Sequence, residues 1–524
     1  MSNKRLLLLF CLILAAAMLA GCGGGGAKQA AQSDESKIVI AQTSEALFLD
    51  PQQQDETPTN SMCANIYDAL VNRKADLSFE PGLAEKWEQK DPVTWVFHLR
   101  KNVTFHNGNP FTADDVVFTF DRFKTQRVAG GIVATVASVK KLDDYTVEIK
   151  TKEPDAAFLS TVAKVFIINK KYVTEVGDKE FNLKPVGTGP YMLKEWVQSD
   201  HITLQAYEKY WRKPAEIKTV IFRPITNDAT RTAALLSGEV QLIADVPVRD
   251  ADQIAKNEHL RYVGIPGLRL IYLTVDVTRD KTPAINLPVN PFKDERVRQA
   301  VRMAIDIDSI IKNVFNGHAY PAYQGVPKHV AGHVDGMKGV KYDPEMAKKL
   351  LAEAGYPNGF TVKLDAPNNR YPNDFRVAEA IASQLAKVGI KVELNLMPKS
   401  IFFDYIRPGD KTSLCLTGWG FDTGEAGLWY RTMFYTRDKK RGFGGSNRGH
   451  YSNPVFDDLV DKAEASATMD ERTKYLQELT KLADKEMPFI PLYFQEDSYG
   501  VSKKLDFTPR LDNYIYAYDI HFKK

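Results

Sequence analysis

The sequence predicts an α/β protein of more than one domain, and three observations carry that expectation. At 524 residues the chain is longer than one ordinary hydrophobic core supports, so two or three domains are expected. Its composition, 44% hydrophobic and 26% charged, is that of a soluble globular chain. In the second half, strand-patterned and helix-patterned segments alternate. That β-α-β order implies a largely parallel sheet with helices packed on it.

The chain opens with a targeting pattern. Lys4-Arg5 forms a short basic region, residues 6–19 are almost unbroken apolar, and the run ends in Leu19-Ala20-Gly21-Cys22. It is too short for a comfortable membrane span and reads as a bacterial export signal over residues 1–21. Small residues just before a cysteine resemble a lipoprotein signal, in which Cys22 bears the lipid. The following "GGGGAKQAAQSDES" is small and polar, and residues 22–36 read as a flexible tether with a reach of about 20 Å. No later segment is long and apolar enough to span a bilayer. Cys11 leaves with the signal, so Cys63 and Cys415 remain, expected as free, buried thiols.

From residue 37 the elements follow in order. "KIVIAQT" (residues 37–43) is strand-like, and residues 60–72 carry apolar residues at helical spacing. "TWVFHL" (residues 94–99) alternates as a half-buried strand should. In residues 111–123 a helix starts, with Thr112 as cap, Asp114 and Asp115 at its positive end, and Val116, Val117 and Phe120 on its apolar face. Residues 136–152 read as a hairpin turning at Asp143-Asp144. Residues 342–355 form a helix capped by Asp343, with Pro344 in its first turn and Gly355 as its stop. Strand 361–365, helix 374–389 and strands 390–396 and 413–417 follow. Residues 487–501 return to strand, and no internal repeat is present.

The charge and motif inventory narrows the function. A net charge of +3 gives no concentrated basic surface, which excludes a nucleic-acid binder. There is no Gly-Lys pair for a phosphate loop, no G-x-S-x-G elbow and no H-E-x-x-H. His329 and His333 stand four apart but follow Pro327 and span Gly332, which favours a loop over a helical metal pair. The stretch "GWGFDTGE" (residues 418–425) places Asp422 at the mouth of an apolar strand among glycines and the aromatics Trp419 and Phe421. Its spacing is one residue too long for a dinucleotide fingerprint. Asp422 is therefore either a turn residue or the convergent charge of a ligand pocket with aromatic walls.

Beyond the tether, the chain resembles the family 5 solute-binding proteins of ABC importers, which take up peptides, nickel chelates and related solutes. The resemblance rests on "TWVFHLRKNVTFHNGNPFTADDVVFTFDR" (residues 94–122), "LDP" (49–51), "IYDALV" (66–71), "PGLAEKW" (81–87) and "PVGTGPYMLKEW" (185–196). It continues in "PFKDERVRQAVRMAID" (291–306), "AKKLLAEAGYPNGF" (347–360) and "YSNPVFDDLVDKA" (451–463). It implies an α/β, two-lobe periplasmic-binding-protein-like fold whose lobes close on a ligand about hinge strands. The first lobe would be residues 37–270 with the C-terminal segment 489–524, and it would hold an extra subdomain at about residues 60–186. The second lobe would be residues 271–488.

The resemblance also implies roles. In dipeptide-binding relatives an Asp after the W-x-x pattern pairs with the ligand's α-ammonium, and Trp419-Gly420-Phe421-Asp422 matches it. An Arg some fifty residues earlier holds the ligand carboxylate, and Arg370 is the nearest match. Ser44, Glu45 and Ala46 would offer backbone hydrogen bonds from the first lobe. Such members usually carry Asp-Pro soon after the key Asp, whereas this chain has Glu425-Ala426-Gly427, so Glu425 is a candidate second anion at the site. The implied function is a lipid-anchored, exported receptor, monomeric and without cofactor or metal. It would sit on the periplasmic or cell-surface face of a bacterial membrane and deliver a short peptide or peptide-like amine to an ABC permease and its ATPase. An exported hydrolase on the same scaffold and a receptor for a nickel chelate are the competing readings.

Overall fold

The computed structural model describes residues 36–523 apart from 54–55, 127–128, 284, 286 and 408. The expected signal peptide, Cys22 and the tether up to residue 35 lie outside the described residues.

One eleven-stranded sheet organises the molecule. Its strands are β1 (Lys37–Gln42), β2 (Tyr191–Val197), β3 (His201–Ala206), β4 (Thr219–Pro224) and β5 (Leu242–Ala244). Then come β6 (Leu260–Val275), β7 (Ala319–Pro321), β8 (Thr361–Pro367), β9 (Lys391–Met397), β10 (Leu414–Gly420) and β11 (Phe489–Ser502). Across the sheet they run β9-β8-β10-β6-β11-β5-β1-β4-β3-β2, with β7 added to β11.

The sheet is mixed, where a largely parallel one was expected. β8 pairs in parallel with β9 and β10, and β1 with β4 and β5. Between these parallel groups, β6 runs antiparallel to both β10 and β11. The antiparallel pairing is carried by the two longest strands of the sheet. β6 and β11 span 16 and 14 residues and contribute to several hydrophobic cores in turn. Leu260 packs with Leu235 and Ile254, while Ile271 and Leu273 pack with Val362 and Leu416. On β11, Ile490 and Leu492 join that second group, and Tyr499 and Val501 pack with Ile38 and Val220.

A separate four-stranded antiparallel sheet, Ala84–Asp91, Thr94–Leu99, Val136–Asp143 and Thr146–Thr151, has its own core around Phe97, Phe120 and Ile149. Thr94–Leu99 is buried along nearly its whole length rather than alternating, with Trp95, Phe97 and Leu99 in the core of that sheet. The helix Ala113–Lys124 starts as expected, the backbone N–H of Thr112 donating to Asp115 Oδ2 at 3.0 Å. The helix expected over residues 60–72 spans Thr57–Ile66 instead. It stops where Gly189 N–H donates to Ile66 O at 2.9 Å, a close approach that a Cβ on Gly187 or Gly189 would block. In the second half, Asp343 caps Pro344–Glu353 by accepting from Met346 N at 2.9 Å, and Gly355 ends it at φ +93°. His329 and His333 lie in a loop, His329 at φ 70°. Cys63 and Cys415 are buried and unpaired in different cores. Among the described residues no helix is long and apolar enough to cross a membrane.

Candidate functional site

A cavity of about 800 Å³ opens where β6, β10 and β11 meet the C-terminal ends of β1 and β5. Its size falls within the range, about 300–1,000 Å³, typical of small-ligand sites. The local sequence builds it by interrupting the strands. The pairing of β6 with β11 slips between Pro266 and Leu270, and such an irregularity re-aims side chains. Glycines then clear the space. A Cβ on Gly264 would lie 2.5 Å from Glu496 Cδ, and one on Gly267 2.5 Å from Asp497 Oδ2. One on Gly420 would lie 3.1 Å from both Arg269 Nη2 and Asp422 Oδ1.

The charges on the cavity wall fall into two groups. Glu496 is committed: it accepts from Tyr262 Oη and lies 3.0 Å from His318 Nδ1. Arg231 is committed as well, fully buried and donating to Ile225 O, Asp228 Oδ1 and Asp245 O, each at 2.9 Å. By contrast, the side chains of Asp422, Arg269, Arg370 and Arg376 line the cavity with no hydrogen-bond or ion-pair partner among the described residues. Asp497 Oδ2 is likewise buried without a partner. Burial first, with Asp245 and Asp422 adding to it against the opposing pull of Asn513 and Arg269, raises the Asp497 carboxyl to about 7.

The expected site residues divide along the same line. Asp422 is exposed in the cavity, and Gly420 and Arg370 line it. The guanidinium of Arg370 lies 4.9 Å above the Tyr371 ring. Phe421 does not face the cavity. It is fully buried, its ring 5.1 Å from that of Trp429, and its backbone N–H, just past the end of β10, donates to Leu268 O at 3.1 Å. Trp419 is half-buried against the same aromatic core.

Glu425 is placed away from the ligand space. It is 4% exposed and accepts from Gly427 N at 2.6 Å and from Arg472 Nη2 at 3.0 Å, and Arg472 also reaches Glu464 Oε1 at 2.9 Å. The departure at residues 425–427 thus serves an internal ion-pair network. Ser44, Glu45 and Ala46 line a separate small recess, where Glu45 accepts from Trp196 Nε1 and Ser199 N. The residue of that strand end that lines the cavity is Thr43.

Sequence reasoning missed Arg269, Asp497 and Arg73. The first two sit beside the glycines of "GIPGLRL" and in "FQEDS"; a glycine-broken strand flanking charges was the available signal. Arg73, from the strand Val71–Arg73, donates to Asp422 O at 2.6 Å and Thr423 O at 3.3 Å, and Ser160 Oγ donates to Thr423 O at 2.9 Å. These bonds fix the backbone of the turn and leave the Asp422 carboxylate free.

Comparison with known proteins gives a consistent picture. Residues 78–441 match the model for bacterial extracellular solute-binding proteins, family 5 Middle. The chain is 31% identical over 458 residues to a dipeptide-binding protein of Escherichia coli (strain K12), covering 81% of this chain and 83% of that protein. It is 30% identical over 480 residues to the glutathione-binding protein GsiB of Salmonella choleraesuis (strain SC-B67), covering 89% and 91%. Among solved structures, HbpA2 from Haemophilus parasuis superposes with a TM-score of 0.83 at 27% identity, over 93% of this chain and 100% of that one.

Proposed function

We propose a function for this chain on one premise: it belongs to the family 5 bacterial extracellular solute-binding proteins. The chain captures a short peptide or peptide-like amine in the cavity, between a lobe of residues 37–270 with 489–524 and a lobe of residues 271–488, and hands it to an ABC permease. The division between lobes falls within β6 and at the start of β11, and these two strands act as the hinge. No catalytic step is part of this reading.

The observation that carries it is the set of partnerless charges. Asp422 offers an unpaired carboxylate and Arg370 an unpaired guanidinium to the same cavity. Opposite charges held apart match a zwitterion, whose ammonium and carboxylate each gain a charge-assisted hydrogen bond. The dipeptide- and glutathione-binding relatives carry names consistent with such a ligand. Capture beside a permease needs retention at the membrane, which a lipid on Cys22 supplies; acyl chains add about 0.8 kcal/mol per buried methylene.

One experiment reads both parts. The full chain is purified from membranes without refolding, denatured and analysed by mass spectrometry. The expected result is a co-released small molecule with a free amine and a carboxylate, together with an acylated N-terminal peptide starting at Cys22. A co-released solute lacking an amine, or a nickel chelate, would contradict the ligand class. An unmodified Cys22 on membrane-bound protein would contradict the anchor.

A further inference from the structure

In the division above, the turn that carries Asp422 belongs to the second lobe, yet a hairpin of the first lobe grips it. That hairpin pairs Val71–Arg73 with Phe79–Pro81. Its tip is tightly closed: Lys74 N donates to Ser78 O at 2.8 Å, Leu77 N to Lys74 O at 3.0 Å, and Ser78 N to Asp76 Oδ1 at 3.0 Å. Leu77 is left at φ 71°, a conformation that a branched side chain rarely adopts and that persists only where its surroundings hold it. Here the opposite lobe surrounds it. Leu77 is 7% exposed and joins the core of Val330, Phe421 and Ala426, and a Cβ on Gly424 would lie 4.0 Å from its own Cβ. Beside it, Arg73 donates to the carbonyls of Asp422 and Thr423, and Ser160 Oγ donates to that of Thr423. From behind, Arg510 Nη2 donates to Arg73 O at 2.7 Å and Leu511 N to Ala75 O at 3.0 Å. The C-terminal segment of the first lobe thus backs the hairpin.

We propose that this hairpin is a latch between the lobes and that Arg73 is a positioning residue for Asp422. Closure seats Leu77 over Gly424 and brings Arg73 onto the carbonyls of Asp422 and Thr423, which fixes the turn that presents the carboxylate to the ligand. This rests on the reading above, in which two lobes close on an amine held by Asp422. Opening withdraws Leu77 from an apolar core into water and returns the guanidinium and the carbonyls to solvent. A contact made only after capture slows release and leaves the encounter with the ligand unchanged. The latch therefore sets how long the ligand stays.

Two measurements on the full chain test this. The first is N-ethylmaleimide labelling of Leu77→Cys, read by peptide mass, with the buried Cys63 and Cys415 as internal reference. In the ligand-free protein the thiol at position 77 is expected to label about tenfold or more faster than those two, because the contact opens. Labelling as slow as at Cys63 and Cys415 would mean that Leu77 never leaves its core, and would overturn the proposal. The second is stopped-flow binding with Ala-Ala as the probe. Leu77→Ser is expected to release it about tenfold or more faster than wild type, with association within about twofold. Arg73→Gln is expected to release it about threefold or more faster, and Arg73→Lys, which keeps the charge without the planar fork, to fall between Gln and wild type. The melting temperature of ligand-free Leu77→Ser should barely move. An early-melting Leu77→Ser that releases Ala-Ala at the wild-type rate would make Leu77 an ordinary core residue and overturn the latch. A wild type that does not bind Ala-Ala removes the amine-peptide reading, and the labelling result then decides the latch by itself.

Discussion

Two carboxylates three residues apart in "GWGFDTGE" occupy opposite electrostatic worlds. Glu425 is buried and satisfied by Arg472 and by the backbone of Gly427. Asp422 is exposed in the cavity, and only its backbone carbonyl is engaged, by Arg73. The first region closes its charges internally, through the network Glu425–Arg472–Glu464. The second keeps Asp422, Asp497, Arg269 and Arg370 short of partners. The difference separates stability from recognition. A buried charge with its partners in place holds the fold, and a charge without partners has its binding capacity still to give.

The largest effect is expected where the closed network is opened. Arg472→Met removes the cation from two carboxylates in a dry environment, and breaking a buried pair in this way costs about 3–5 kcal/mol. Burial acts against the charge on Arg472, yet Glu425 and Glu464 outweigh it and hold the guanidinium more basic than usual. Urea denaturation should show the loss, while the folded variant binds its ligand as the wild type does. A variant of unchanged stability and weakened binding would exchange the roles assigned to the two regions.

A second effect sharpens the cavity side. The carboxyl of Asp497 is raised in the folded protein to about 7, against about 3.9 unfolded. Between those values the folded state holds more protons than the unfolded one, so stability falls as pH rises through this window. The penalty is absent below the unfolded value and complete above the folded one. Asp497→Asn should flatten that slope, seen as melting temperatures that change less between about pH 4 and 7. In the wild type, a cationic ligand favours the charged carboxylate, so affinity for amines should weaken as pH falls through the same window. Identical slopes in wild type and variant would place Asp497 outside the cavity's electrostatics.

How much of this was legible in the sequence follows from the range of the interactions. The βαβ order of residues 361–420 and the caps at Thr112 and Asp343 are local, and periodicity reports them. The mixed sheet was hidden because Gly264, Pro266 and Gly267 break the pattern of β6, the same residues that open the cavity. Phe421 reads as a pocket wall until its packing on Trp429 in the aromatic core is known. The role of Glu425 depends on Arg472, 47 residues away in the helix Met469–Glu486. Ser44, Glu45 and Ala46 missed the cavity by one residue, since the turn after β1 carries only Thr43 onto its wall. Arg269 has a neighbour in Asp422 only through the pairing of β6 with β10.

The central claim is that the free carboxylate of Asp422 holds a ligand ammonium. Calorimetry on wild type and Asp422→Asn, each with a peptide ligand and its N-acetylated form, tests it most directly. Removing either charge should cost about 1.5–3 kcal/mol, one to two decades in affinity. Removing both should cost little more than removing one, because the two changes delete the same interaction. The melting temperature of the ligand-free variant should barely move, since the carboxylate makes no internal hydrogen bond. Additive losses from the two changes, or an Asp422→Asn protein that melts early and binds the peptide as well as wild type, would contradict the account and return Asp422 to the turn.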